Sequence, residues 1–178
     1  MRHEQGRGRR RASFAVLAIV CVLGAFASSR IVASAGGAAA GTKAKPAPKG
    51  FVQDIEALAS KNDDFRHVLY TGAHSQLVLM TLKPGEEIGK ETHRAVDQFF
   101  RVEQGTGEVE LAGVRTPIGP GFAVVVPAGL RHNIVNTGKE PLRLYTIYSP
   151  PNQRDGVVHH ERSEAEHDSE HFEGDTTE

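Results

Sequence analysis

Between Arg66 and Pro150 the chain is a series of short apolar runs separated by turn residues: HVLYTG, SQLVLMTL, DQFFRVEQG, GEVELAG, FAVVVP, HNIVNTG and LRLYTIYSP. Ten of the 19 glycines lie between Gly72 and Gly138, at the breaks between these runs. Many short strands with glycine or proline at each turn predict an all-β sandwich or barrel. The stretch is 85 residues long, enough to close one small core. No internal repeat is visible, so the barrel is not a duplicated one.

The flanks have other compositions. Arg2, Arg7, Arg9, Arg10 and Arg11 precede an apolar run from Phe14 to Ala27, and small residues follow with Ala25-Phe26-Ala27 and Ala33-Ser34-Ala35. A basic start, an apolar run of about 14 residues and small residues at its end read as a secretory signal over residues 1–35. The alternative is an inner-membrane anchor through residues 12–28. An anchor wants about 20 apolar residues, and Arg30 interrupts the run early. Export predicts a periplasmic or extracellular protein, touching the membrane only if the leader is retained. The only cysteine, Cys21, would leave with the leader, and its solitude excludes an intrachain disulfide framework.

Charge follows the same division. The whole chain has 21 Lys+Arg against 22 Asp+Glu. Six of those bases and one of those acids precede Gly36, which leaves −6 on the remainder. No basic field remains to attract nucleic acid. Residues 36–50 are rich in Ala, Gly, Pro and Lys and read as a linker. In Phe51–Lys61, Val52, Ile55, Leu58 and Ala59 share one face, which predicts a short amphipathic helix. The domain is expected to span 51–158. Residues 159–178 hold His159, His160, His167 and His171 among many acids, a composition that predicts a solvated tail.

Two segments carry chemistry. The first runs Pro84-Gly85-Glu86-Glu87-Ile88-Gly89-Lys90-Glu91-Thr92-His93 and continues through Asp97-Gln98-Phe99 to Gly105. Glu91 and His93 are two apart, so on a strand their side chains share a face. The second runs from Gly121 through Pro127, Gly129 and His132 to Asn136, with Pro127-Ala128-Gly129 as a turn that delivers His132 to the next strand.

This pattern resembles the cupin superfamily. Its first motif has the form G-x5-H-x-H-x3-4-E-x6-G, and its second G-x5-P-x-G-x2-H-x3-N. Gly85, Glu91, His93, Gln98 and Gly105 keep the first spacing, while Gly121, Pro127, Gly129, His132 and Asn136 match the second in spacing and type. The resemblance covers about residues 66–158. It implies a double-stranded β-helix, the cupin or jelly-roll barrel, with a short N-terminal helix and disordered termini. More narrowly, G-K-E-x-H-x-x-x-D-Q-F is similar to small single-domain bacterial cupins, some of them described as mannose-6-phosphate isomerase-like.

By position, the resemblance implies that Glu91, His93, Gln98 and His132 bind one metal inside the barrel. Glu91 stands where the family usually has histidine, and Gln98 where it has glutamate. Two imidazoles, a carboxylate and an amide oxygen suit divalent Mn, Fe, Zn, Ni or Co. Asp97, beside Gln98, reads as a solvated turn residue. Period-two geometry puts Phe100 and Val102 on the Gln98 face and Ile134 on the His132 face. Gln76, Met80, Tyr145 and Tyr148 are further candidates for the pocket wall. The expected activity is binding or transformation of a small molecule at the metal. A dioxygenase, a sugar isomerase, a non-catalytic ligand-binding protein and a barrel that has lost its metal all remain open. The resemblance also implies a homodimer.

Overall fold

The computed structural model describes residues 50–168 and 171–177. The leader, its anchor alternative and all of the linker but Gly50 lie outside the described residues. Among the described residues no helix is long and apolar enough to cross a membrane.

The glycine-punctuated region is β-structure, as its pattern predicts. The strands are β1 (Arg66–Thr71), β2 (Gln76–Leu82), β3 (Asp97–Gln104), β4 (Gly107–Leu111), β5 (Val114–Ile118), β6 (Ala123–Val126), β7 (His132–Val135), β8 (Leu142–Ser149) and β9 (Val158–His159). They form a six-stranded sheet in the order β6-β3-β8-β2-β1-β9 and a three-stranded sheet in the order β5-β4-β7. Every strand pairing is antiparallel. The segment before β3 adds single bridges from Glu87 to Val135 and from Glu91 to His132, both antiparallel. It thereby continues the smaller sheet past β7.

The core lies between the two sheets. Strands β3 and β8 alternate strictly, burying Gln98, Phe100 and Val102 on one and Leu142, Leu144, Thr146 and Tyr148 on the other. Val109, Ile118 and Ile134 of the smaller sheet close on them in one cluster. The expected inward parity of Phe100, Val102 and Ile134 holds. Burying each such side chain contributes roughly 1.5–3 kcal/mol before the chain-ordering cost.

Helix α1 (Ile55–Lys61) covers only the second part of the expected stretch: Val52 precedes it and is 91% exposed. Asp54 caps it by accepting the Ala57 N–H at 3.0 Å. It packs on β2, β3 and β8, burying Ala59 against the outer face of the larger sheet.

Three further features differ from the sequence reading. β5, with the sequence VRTPI, has no alternating apolar pattern and is exposed along most of its length. It is an edge strand, where Pro117 interrupts no ladder on its free side. A two-residue turn with positive φ at Ala112 and Gly113 pairs it with β4. His93 lies just outside regular strand, although Glu91 is bridged.

The third difference is the polar C-terminal segment. It carries the end of β9 and helix α2 (Arg162–His167), and it is tied back by side-chain pairs rather than by an apolar stripe. Lys83 reaches Glu161 at 2.7 Å, and Arg162 reaches Glu87 at 3.7 Å. Further on, Thr177 N–H donates to the Thr71 carbonyl at 3.0 Å. Composition reports solvation well, but it is silent about partners this distant in sequence.

Candidate metal centre

Two strands and the segment before β3 bring the proposed ligands together. Gln98 enters from β3 in the larger sheet, and His132 opens β7 in the smaller one. Glu91 is fixed opposite His132 by a reciprocal backbone pair, with N–H to carbonyl distances of 3.0 and 3.1 Å. His93 follows in the loop before β3 and accepts the Gly129 N–H on its backbone carbonyl at 2.8 Å. Gly129 has φ +83°, a conformation that favours glycine, and open space lies around it. Backbone conformation, rather than crowding, is what requires glycine in this turn.

The side chains converge. Glu91, His93 and His132 offer ligand atoms that all lie within 4.8 Å of one another. Glu91 Oε1 is 3.3 Å from His93 Nε2 and 3.4 Å from His132 Nε2. Gln98 Oε1 lies 3.0 Å from the same His132 Nε2, while Gln98 Nε2 donates to Thr146 Oγ1 at 3.1 Å. Exposure is uneven across the site. The His132 side chain is 0% exposed, against 16% for His93 and 29% for Glu91.

Proton placement tests whether these residues suit a cation. His132 Nδ1 lies 3.1 Å from the Leu130 carbonyl, which can only accept. The ring proton therefore belongs on Nδ1, and the Nε2 lone pair faces two oxygens, from Gln98 and Glu91. Acceptors converging on a lone pair need a positive charge between them, either a second proton on His132 or a metal ion. His93 Nε2 is buried, and its close polar neighbour is Glu91 Oε1 at 3.3 Å. A buried polar atom that is poorly satisfied costs up to about 1–3 kcal/mol, and ligation would remove that cost. The set fits a divalent ion.

Glu91 stays ionised here. Burial pushes its carboxyl up, but hydrogen bonds and positive charge from His132 and His93 outweigh that and hold it at about 2, against an ordinary 4.5.

The neighbouring walls are aromatic and apolar. Tyr148 stands edge-on to His93 with ring centres 5.7 Å apart, and Phe100 lies 6.0 Å from His132. Of the other candidate wall residues, Met80 is buried in the core. Gln76 spends its amide on Thr71 and Gln153. Tyr145 faces outward, against Phe99. Asp97 does not join the cluster; its Oδ1 accepts the Ala128 N–H at 2.8 Å. Asn136 is a structural member of its motif, donating to the carbonyls of Leu82 and Glu140. Thr146 and the Leu130 carbonyl had no signal in the sequence, because both act through partners far away or through backbone.

The comparisons agree with this fold. The family described as Cupin domain matches residues 78–148. The uncharacterised protein YrkC of Bacillus subtilis is 45% identical over 124 residues, covering 66% of this chain and 67% of that protein. The chain belongs to the cupin family. Another relative of this cupin, the polyketide synthase CurC of Streptomyces cyaneus, is 31% identical over 103 residues, 56% of this chain and 67% of that one. Among solved structures, protein BH2720 of Bacillus halodurans aligns with a TM-score of 0.66 and 40% identity, covering 67% of this chain and 96% of that one. Cupins commonly bind a metal, and the Glu91, His93 and His132 cluster stands where this one would hold its ion.

Proposed function

We propose that this cupin holds one divalent first-row metal through Glu91, His93, Gln98 and His132, and that the ion binds and polarises a small oxygen-bearing molecule. The observation that carries this reading is the convergence of ligand atoms: Glu91 Oε1 lies 3.3 Å from His93 Nε2 and 3.4 Å from His132 Nε2, and Gln98 Oε1 lies 3.0 Å from the latter. Mn, Fe, Zn, Ni and Co all suit two imidazoles, a carboxylate and an amide oxygen. Bound there, the ion supplies Lewis acidity and, if it is a redox metal, electron-transfer chemistry. The chain supplies the rest. Glu91 brings the only formal negative charge of the ligand set, leaving one net positive charge on the complex. Tyr148 and Phe100 keep the inner wall apolar and limit water.

That charge balance favours a neutral or singly anionic ligand. Among the described residues no lysine or arginine is buried, and Arg101 pairs with Glu103 on the outer face of β3. A phosphorylated sugar would find no cationic side chain inside, which weighs against the isomerase reading. The likeness to a polyketide synthase leans towards a carbonyl-bearing molecule. Metal analysis of untagged protein should find about one transition metal per chain, and none in His93→Ala/His132→Ala. Unchanged stoichiometry in that variant would sink the assignment. Oxygen consumption across a panel of carbonyl compounds separates a dioxygenase from a redox-neutral reaction.

The leader supports export to the periplasm or beyond. Protein sequencing of the native material should show a start after Ala27 or Ala35, whereas an intact N-terminus in the membrane fraction would mean an anchor. The outer face of the larger sheet supports a homodimer. Register aligns Val125, Phe99, Ile147 and Leu77 into one apolar row across four strands, and Val125 is 64% exposed. Arg101, its side chain 42% exposed, lies beside the row on β3 and pairs with Glu103. A monomer by light scattering would remove this expectation.

A further inference from the structure

The turn from Pro127 to Leu130 contributes no ligand, yet it is fastened to three ligand-bearing segments. Gln98 pairs with Val126 across β3 and β6. The next residue, Pro127, has no N–H with which to continue the ladder. Asp97 supplies the replacement, because its Oδ1 accepts the Ala128 N–H at 2.8 Å. On the other side of the turn, Gly129 N–H donates to the His93 carbonyl at 2.8 Å. The turn closes through Leu130 N–H to the Pro127 carbonyl at 3.0 Å. The Leu130 carbonyl then meets His132 Nδ1 at 3.1 Å.

We propose that Asp97 is a positioning residue for the metal centre. Its side chain anchors the turn so that the Leu130 carbonyl keeps the ring proton of His132 on Nδ1 and leaves Nε2 free to ligate. This rests on the metal-binding reading above. The operative property is an acceptor oxygen at the Oδ1 position rather than negative charge. Outer partners of this kind orient a ligating histidine and fix its tautomer, and losing one costs about 10–100-fold in metal affinity.

The bond can be deleted from either end. Asp97→Ala removes the acceptor. Ala128→Pro removes the donor at a turn position that favours proline when glycine follows with positive φ. Asp97→Asn keeps an acceptor oxygen and discards the charge. Affinity is read by chelator competition with Co(II) on the full chain, beside the visible spectrum of the bound ion. Asp97→Ala and Ala128→Pro should each weaken binding by about 10–100-fold. The double variant should be no weaker than either single one, since both remove one bond. Asp97→Asn should stay near wild type, with its spectrum restored.

Wild-type affinity in Asp97→Ala overturns the proposal, as do additive losses in the double variant. An Asp97→Asn variant as weak as Asp97→Ala also overturns it, by showing that charge is what matters. Nitrogen-15 NMR of the metal-free protein, at a pH high enough that the His132 ring carries a single proton, reads the tautomer without any ion, and should find that proton on Nδ1 in wild type and mixed in Ala128→Pro. An unaltered tautomer in that variant counts against the proposal. If the wild type itself binds no Co(II), the metal-binding reading fails, and this inference falls with it.

Discussion

Replacing Glu91 by glutamine keeps the shape of the side chain and removes its charge. In the folded protein the carboxyl is held at about 2, against an ordinary 4.5. A carboxylate whose folded pKa lies below its unfolded value stabilises the fold at any pH above the unfolded value. That contribution is lost as the pH falls through the folded value. For Glu91 the window runs from 4.5 down to about 2. At about 1.4 kcal/mol per unit, the metal-free wild type should give up roughly 3 kcal/mol across that window, about 2 of it by pH 3. The glutamine variant has no such contribution to lose. Urea unfolding of chelator-treated wild type and Glu91→Gln, at steps from about pH 6 to pH 3, measures the difference directly. The stability gap between the two proteins should narrow by about 2 kcal/mol on the way down. A gap that stays constant would refute the pairing of Glu91 with the two histidines.

Other substitutions report on different parts of the fold. Gly129→Ala places a Cβ at φ +83° without any clash. Thermal unfolding should show a loss of about 1–2 kcal/mol, the cost of a left-handed conformation. Phe100→Ala opens a void in a fully buried position beside His132, and denaturant titration should find about 3–5 kcal/mol lost. Acidification should release the bound ion, because ligating imidazoles must be unprotonated. Metal per chain, measured after gel filtration at stepwise lower pH, should fall, and retention at full stoichiometry in acid would contradict histidine ligation.

Much of the site was legible because its spacing is local. Glu91 with His93, and Pro127 with Gly129 and His132, are fixed by turns whose residues can be read directly. Parity on β3 placed Gln98, Phe100 and Val102 on one face, and the structure agrees. Parity on β8 could not be assigned, because LRLYTIYS is apolar on both faces. Pairing with β3 decides it, turning Tyr148 inward and Tyr145 outward. β5 was missed because an edge strand exposed along most of its length needs no apolar alternation. α2 was missed because its attachments, Lys83 to Glu161 and Arg162 to Glu87, join residues far apart in sequence. Asp97 was read as a solvated turn residue. It is exposed, but its hydrogen bond to Ala128 depends on a strand pairing that one sequence does not display.

The reciprocal backbone pair between Glu91 and His132 has a consequence for how such a site can change over time. Main-chain atoms set the separation of these two positions, and every amino acid but proline supplies the same donor and acceptor there. A mutation at either position therefore swaps the donor atom without moving the socket. This gives a physical route by which a carboxylate could replace an imidazole at position 91 while an amide replaced a carboxylate at position 98, the net ligand charge staying at minus one. Selection could then retune the preference for one ion over another without rebuilding the barrel.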